Sequence, residues 1–215
     1  MRNDGDGGVV LATSYLRCSI SITCRSHCRS CCRLRIRSHS YRQHNRYRHR
    51  YHSFHPKDRT AIDELAIKLH AHFAQVDDTA ESLPFASPRD AHGYMQRMID
   101  DSEDMDGAIY VAEESGQVVG FIQGVIIDHR PGQDAVFDAV HAPRKDGWIG
   151  LLYVEPEQRG SGIGRALLDE MKRYFQSKNC DTLRLKVLSG NQRAIAFYEK
   201  YGFTAREVEM ITKLQ

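Results

Sequence analysis

Between Asp58 and Phe73 the apolar residues Ile62, Leu65, Ala66, Leu69 and Phe73 recur at steps of three and four. That spacing predicts a helix with one buried face, and Asp58 stands where its N-cap belongs. The segment "ASPRDAHGYMQRMID" predicts a second helix, with Ser87 as cap and Pro88 at the first helical position. The period then changes. "AIYVAEESGQVVGFIQGVIID" reads as two strands joined by a tight turn over Glu114 to Gln117. A polar loop from His129 to Gly147 leads to "WIGLLYV", an apolar run of strand length. An amphipathic helix follows, with Ile163, Ala166, Leu167, Met171, Tyr174 and Phe175 on one side. "TLRLKVL" alternates as a strand does, a helix runs from Asn191 to Tyr201 and stops at Gly202, and "REVEMITKL" alternates again. The expected order is α–α–β–β–β–α–β–α–β, a mixed α/β domain on one sheet.

Charge divides the chain near Pro56. Residues 1–55 hold eleven arginines, no lysine and two acids, with five of the six cysteines and six of the eleven histidines. Residues 56–215 hold 19 basic and 26 acidic residues. The boundary therefore separates a low-complexity Arg/His/Cys/Ser-rich segment, 1–55, from a folded domain, 56–215. Cys24, His27, Cys28, Cys31 and Cys32 suit zinc by type, but their spacing fits no paired-ligand pattern and no second cluster follows. The arginines interleaved with Tyr41, Tyr47 and Tyr51 suit nucleic acid. Neither motif is specific, and the segment is expected to be disordered or foreign to the domain. The longest apolar run, Val118 to Ile127, is short of a membrane span and is broken by Gln123 and two glycines. No secretory block opens the chain, so a cytoplasmic protein is expected.

"EQRGSGIGRALL" places Gly160, Gly162 and Gly164 where a helix is about to begin. Each glycine inside a helix costs about 1 kcal/mol against alanine, so the cluster needs a reason. Amides at a helix start are free to bind phosphate oxygens, and glycine keeps side chains out of their way. Arg159 and Arg165 add positive charge. The spacing fails the dinucleotide pattern G-x-G-x-x-G, and no lysine follows to complete an ATP-type loop. What remains is Arg159-x-x-Gly162-x-Gly164, after "LLYV" and before "NQRAIAFYEKYGF". Here the sequence resembles the GNAT superfamily of N-acetyltransferases, over residues 56–215 and most strongly over 148–203.

The resemblance implies a single mixed, mostly antiparallel, twisted sheet flanked by helices. It also implies transfer of an acetyl group from acetyl-CoA to a primary amine, by direct attack on the thioester. Carried over residue by residue, the pyrophosphate falls to Arg159, Gly160, Ser161, Gly162, Ile163, Gly164 and Arg165. The backbone of Leu152 and Val154 takes the pantetheine arm, with the Leu152 region facing the thioester oxygen. Asn191 contacts the arm, and Tyr198 protonates the departing sulfur. No metal is implied. Tyr198 also fits plain core packing with Ala194, Phe197 and Tyr201, and Asn191 an ordinary N-cap. The general base is left unassigned among Asp146, Glu155, Glu157 and water.

The family opens with a strand before its first helix, where this chain has "RYRHRYHSF", which alternates in part but is poor in aliphatic residues, so the sequence does not establish the first strand. The acceptor is expected to be a small-molecule or peptide amine. The acidic run Asp100, Asp101, Glu103, Asp104 and Asp106, after the second helix, favours a cationic one. A homodimer is compatible with the sequence, a membrane is not expected, and nucleic acid is disfavoured. Two other functions stay in view: a GNAT-like module that binds acyl-CoA without turnover, and a nucleic-acid-binding protein acting through residues 1–55.

Overall fold

The structure, a computed structural model, describes residues 49–129 and 143–212. In chain order the elements are β1 (His49–Ser53), α1 (Arg59–Val76), α2 (Pro88–Asp104), β2 (Ala108–Glu114), β3 (Gln117–His129), β4 (Arg144–Val154), α3 (Ile163–Ser177), β5 (Thr182–Leu185) and α4 (Gln192–Tyr201). The sheet order is β1-β2-β3-β4-β5. The first three pairings are antiparallel and the β4–β5 pairing is parallel. The expected mixed, mostly antiparallel sheet is present.

Local chemistry sets these elements. Ser87 caps α2 by accepting from the Asp90 N–H, with Pro88 at the first position. The β2–β3 hairpin turns on Ser115 and Gly116, both at positive φ, the geometry that matches the twist of paired strands.

Each face of the sheet has its own core. Ile122, Ile149, Leu167, Leu168, Met171 and Phe175 pack on the α3 face. Ile62, Leu65, Leu69, Phe121, Leu151 and Tyr153 pack beneath α1 and α2. The helices differ in anchorage: α3 buries Ile163, Leu167, Leu168, Met171 and Phe175, whereas α4 fully buries no residue.

Three expectations are corrected. The compositional boundary at Pro56 falls after β1, which is paired along its whole length with β2. Aliphatic residues are not needed there: Tyr51 packs against the α3-face core, and His49 lies 3.2 Å from Glu114. The C-terminal alternation forms no strand through residue 212, and Val208 and Met210 are 84% and 90% exposed. Alternation gives a strand only where an edge accepts it, and β5 offers four residues. Helix α2 continues to Asp104, so most of the acidic run lies in its last turn rather than beyond it. Among the described residues no helix is long and apolar enough to cross a membrane, and no cluster of ligating side chains could hold a metal ion. The Cys/His and Arg/Tyr motifs before His49 lie outside the described residues.

Candidate active site

Strands β4 and β5 part at a defined point. Their last pair is Ile149 with Leu185, and β4 continues to Val154 without its neighbour. Gly150, an extra residue in the β3–β4 pairing, marks the parting. Beyond it the Glu155 N–H donates to Val119 O at 2.9 Å, so backbone alternation turns the groups of Tyr153 towards β3 and those of Leu152 and Val154 towards the open edge. Leu152 and Val154 thus present backbone groups on the stretch of β4 that β5 leaves unpaired. The Val154 carbonyl is already used: it accepts from Arg159 Nε at 2.9 Å. Arg159 also lies over the Tyr153 ring at 5.6 Å, so its side chain braces the loop against β4.

The open edge runs into the glycine loop. Gly160 and Gly162 have φ of +90° and +94°, a region costly for any residue with a Cβ, and open space lies where their side chains would be. The first helical bond of α3 is Ala166 N–H to Gly162 O at 3.0 Å. Among the described residues the amides of Gly160, Gly162, Ile163, Gly164 and Arg165 have no acceptor. Together with the positive end of the helix dipole they suit an anion such as a pyrophosphate. The other loop residues divide. Ile163 buries its side chain, leaving only its amide for a ligand. Ser161 turns its hydroxyl onto Gln158 O at 2.7 Å, and Arg165 is exposed, 5.5 Å from the Tyr201 ring. Gly164 separates Val154 from Phe197.

Helix α4 closes the far side. Asn191 Oδ1 caps it, accepting from the Ala194 N–H at 3.2 Å. Tyr198 packs against Phe197 and Phe203, with ring centroids 5.2 and 5.6 Å away. Burial pushes its phenol up to about 12. Its hydroxyl has no hydrogen-bond partner among the described residues.

The sequence profile of the acetyltransferase (GNAT) family matches residues 74–203. The chain belongs to this family. Mycothiol acetyltransferase of Amycolatopsis mediterranei is 33% identical over 107 residues, covering 50% of this chain and 33% of that protein. This chain therefore matches about a third of the length of such relatives. Among solved structures, a mutant Bacillus halodurans protein superimposes with a TM-score of 0.63 at 21% identity, covering 77% of this chain and 99% of that one. A predicted acetyltransferase from Clostridium acetobutylicum, crystallised with acetyl-CoA, gives 0.55 at 19% identity, covering 77% and 96%.

Within this GNAT domain two of the three carboxylates considered as bases, Glu155 and Asp146, are engaged elsewhere. Glu155 is paired with Lys68 and accepts from Tyr153 Oη at 3.3 Å. Asp146 is buried between Arg144 Nε at 2.8 Å and Arg184 Nε at 2.9 Å, and it accepts from Thr182. The acidic run is also partnered in part: Asp106 pairs with Lys178, just past the end of α3 opposite to the glycine loop, and Asp100 accepts from Gln96.

One residue beside the site was not singled out from the sequence. His72, on α1, is held below its ordinary pKa first by burial, then by the Arg159 charge; a hydrogen bond with Asn191 acts the other way, and Arg193 depresses it further. Its neighbours belong to the glycine loop and to α4. Nothing local distinguishes it from His70 two residues earlier, which packs among Phe73, Phe85 and Tyr94. Only the crossing of α1 over the loop before α4, where a Cβ on Gly190 would come within 2.0 Å of Val76 O, brings His72 there.

Proposed function

We propose that this domain transfers the acetyl group of acetyl-CoA to a primary amine. The observation that carries the reading is the continuity of the open β4 edge with the unpaired amides of the glycine loop. Acetyl-CoA supplies an activated thioester carbonyl. The amides of Gly160, Gly162, Ile163, Gly164 and Arg165 hold its pyrophosphate. The free groups of Leu152 and the Val154 N–H take the pantetheine arm as a strand takes its neighbour, with Asn191 beside it. That alignment fixes the thioester against the edge, and the Leu152 N–H donates to its oxygen as negative charge builds there. Bond formation from the amine nitrogen and loss of the carbon–sulfur bond leave one proton to be removed from nitrogen and a thiolate to be stabilised. Tyr198 serves the sulfur. A phenol near 12 is a weaker acid than a thiol of about 8.5, so its contribution is a hydrogen bond to the thiolate, with water completing the protonation. His72, held neutral, is suited to accept the amine proton directly or through water.

The acceptor is read only as an amine of a small molecule or peptide. The name of the mycothiol acetyltransferase relatives makes an amino-sugar thiol one member of the panel to test. Thiol release should be followed with acetyl-CoA and amines that include polyamines, amino sugars and peptide N-termini. Turnover with at least one is expected. Acetyl-CoA binding without turnover on any amine supports a non-catalytic acyl-CoA module, and no binding at millimolar concentration overturns both.

A further inference from the structure

Gln123 lies on β3 and is only 2% exposed. Its Nε2 donates to Ser102 Oγ at 3.0 Å, and Ser102 Oγ donates to Met98 O at 2.7 Å. A hydroxyl has a single proton, and here Met98 takes it, so Ser102 can only accept from Gln123. This fixes the carboxamide with its nitrogen towards α2. The oxygen is left buried without a hydrogen-bond partner, a costly arrangement in a protein interior.

That oxygen points at the β4 bulge: a Cβ on Gly150 would come within 2.3 Å of Gln123 Oε1. Gly150 is the residue that β4 inserts between Leu151, the partner of Gln123, and Ile149, the partner of Gly124. The insertion exchanges the faces of the strand. Ile149, Leu152 and Val154 all pack towards α3, whereas Leu151 and Tyr153 enter the α1–α2 core. If Gly150 were instead paired in regular register, the alternation running on from Ile149 would put the backbone groups of Leu151, not Leu152, on the open edge.

We infer that Gln123, held by Ser102, is a positioning residue for acetyl transfer: its carboxamide fills the hollow of the Gly150 bulge and keeps the Leu152 N–H on the open edge of β4. The inference rests on the reading that this N–H serves the thioester oxygen. A carboxamide suits the task because it is planar, oriented at one end by a hydrogen bond, and presents at the other a bare oxygen that sits against a glycine Cα–H.

Gln123→Met keeps the volume but loses the oxygen and the bond to Ser102, and Ser102→Ala frees the carboxamide to turn. Met95→Ala, in the same core, is the control for lost stability. Each is compared with the unaltered protein by thiol release, acetyl-CoA affinity, melting temperature and the infrared carbonyl stretch of bound 13C-labelled acetyl-CoA. A shift of the reacting carbonyl by about 1 Å can cost about 10²-fold in rate. The expected result is a fall in kcat of about that size for Gln123→Met and about tenfold for Ser102→Ala. Acetyl-CoA affinity should stay within about threefold, and the red shift of the bound carbonyl should diminish. Met95→Ala should lose melting temperature with kcat and carbonyl shift retained. Gln123→Met with kcat within about twofold of the unaltered protein and the full carbonyl shift reduces Gln123 to packing and overturns the inference. If the unaltered protein binds acetyl-CoA but acetylates no amine, the functional reading fails while the infrared shift still decides the positioning role: lost in Gln123→Met it stands, equal in both it falls. If Gln123→Met does not fold, Ser102→Ala decides by the same two readouts.

Discussion

Burial lifts the Tyr198 phenol to about 12, so the hydroxyl keeps its proton through the working pH range and acts only as a donor. The raised value adds stability that is fully present below the unfolded value of about 10 and is lost as pH climbs through about 12. Because the hydroxyl has no partner among the described residues, Tyr198→Phe should leave the melting temperature almost unchanged. It should lower kcat by about 10²-fold and hold the KM for acetyl-CoA within about twofold, as measured by steady-state thiol release. Loss of stability with kcat retained would return Tyr198 to a packing role. The glycines separate in the same way. Gly162→Val forces a branched side chain into φ +94° and into the anion cradle, and should raise the KM for acetyl-CoA at least about tenfold. A methyl on Gly164 meets Phe197 and Val154 at 3.6 and 3.7 Å, ordinary contact distances. Gly164→Ala should therefore change stability by no more than about 0.5 kcal/mol in a denaturant melt.

Among the elements, the short β5 depends on Asp146. Burial opposes ionisation of this carboxyl, yet hydrogen bonds from Thr182 and Arg144 and the charges of Arg184 and Arg144 hold it below the usual carboxylate range. Its contribution is present above the unfolded value of about 3.9 and is lost as pH falls through the lower folded value. Asp146→Asn leaves two arginines facing a neutral group and should cost about 3–5 kcal/mol. Urea melts between pH 3 and 7 should show that the variant's stability falls less steeply on the acid side. The elements also show where sequence patterns inform and where they do not. Helices α1 and α3, the β2–β3 hairpin and the glycine loop were legible because period, caps and turn residues agree locally. Strand β1 was not, since its stability comes from an edge supplied by β2, and the C-terminal alternation misled for want of such an edge. The family resemblance pointed to Leu152, Gly162, Asn191 and Tyr198, to which the proposed function gives roles. His72 and Gln123 carry no local signature, because they reach the site only through the crossing of α1 and the bulge in β4.

On the scale of the whole molecule the candidate site is assembled from parts of unequal security. Strand β4 and the start of α3 belong to the sheet and to the deepest core, whereas Asn191 and Tyr198 ride on a helix that fully buries nothing. Native-state hydrogen exchange should resolve the two: amides of α4 are expected to exchange at least about tenfold faster than those in the middle of α3, through local opening that leaves the sheet intact. Acetyl-CoA should slow exchange in α4 more than in α3, because it adds contacts where the apo domain has few. Equal protection of both helices without ligand would show that α4 opens only with global unfolding. A helix that lifts on its own gives the spent coenzyme an exit that needs neither sheet edge nor glycine loop to move. The turnover rate at saturating amine would then follow the opening of α4 rather than the making of the amide bond.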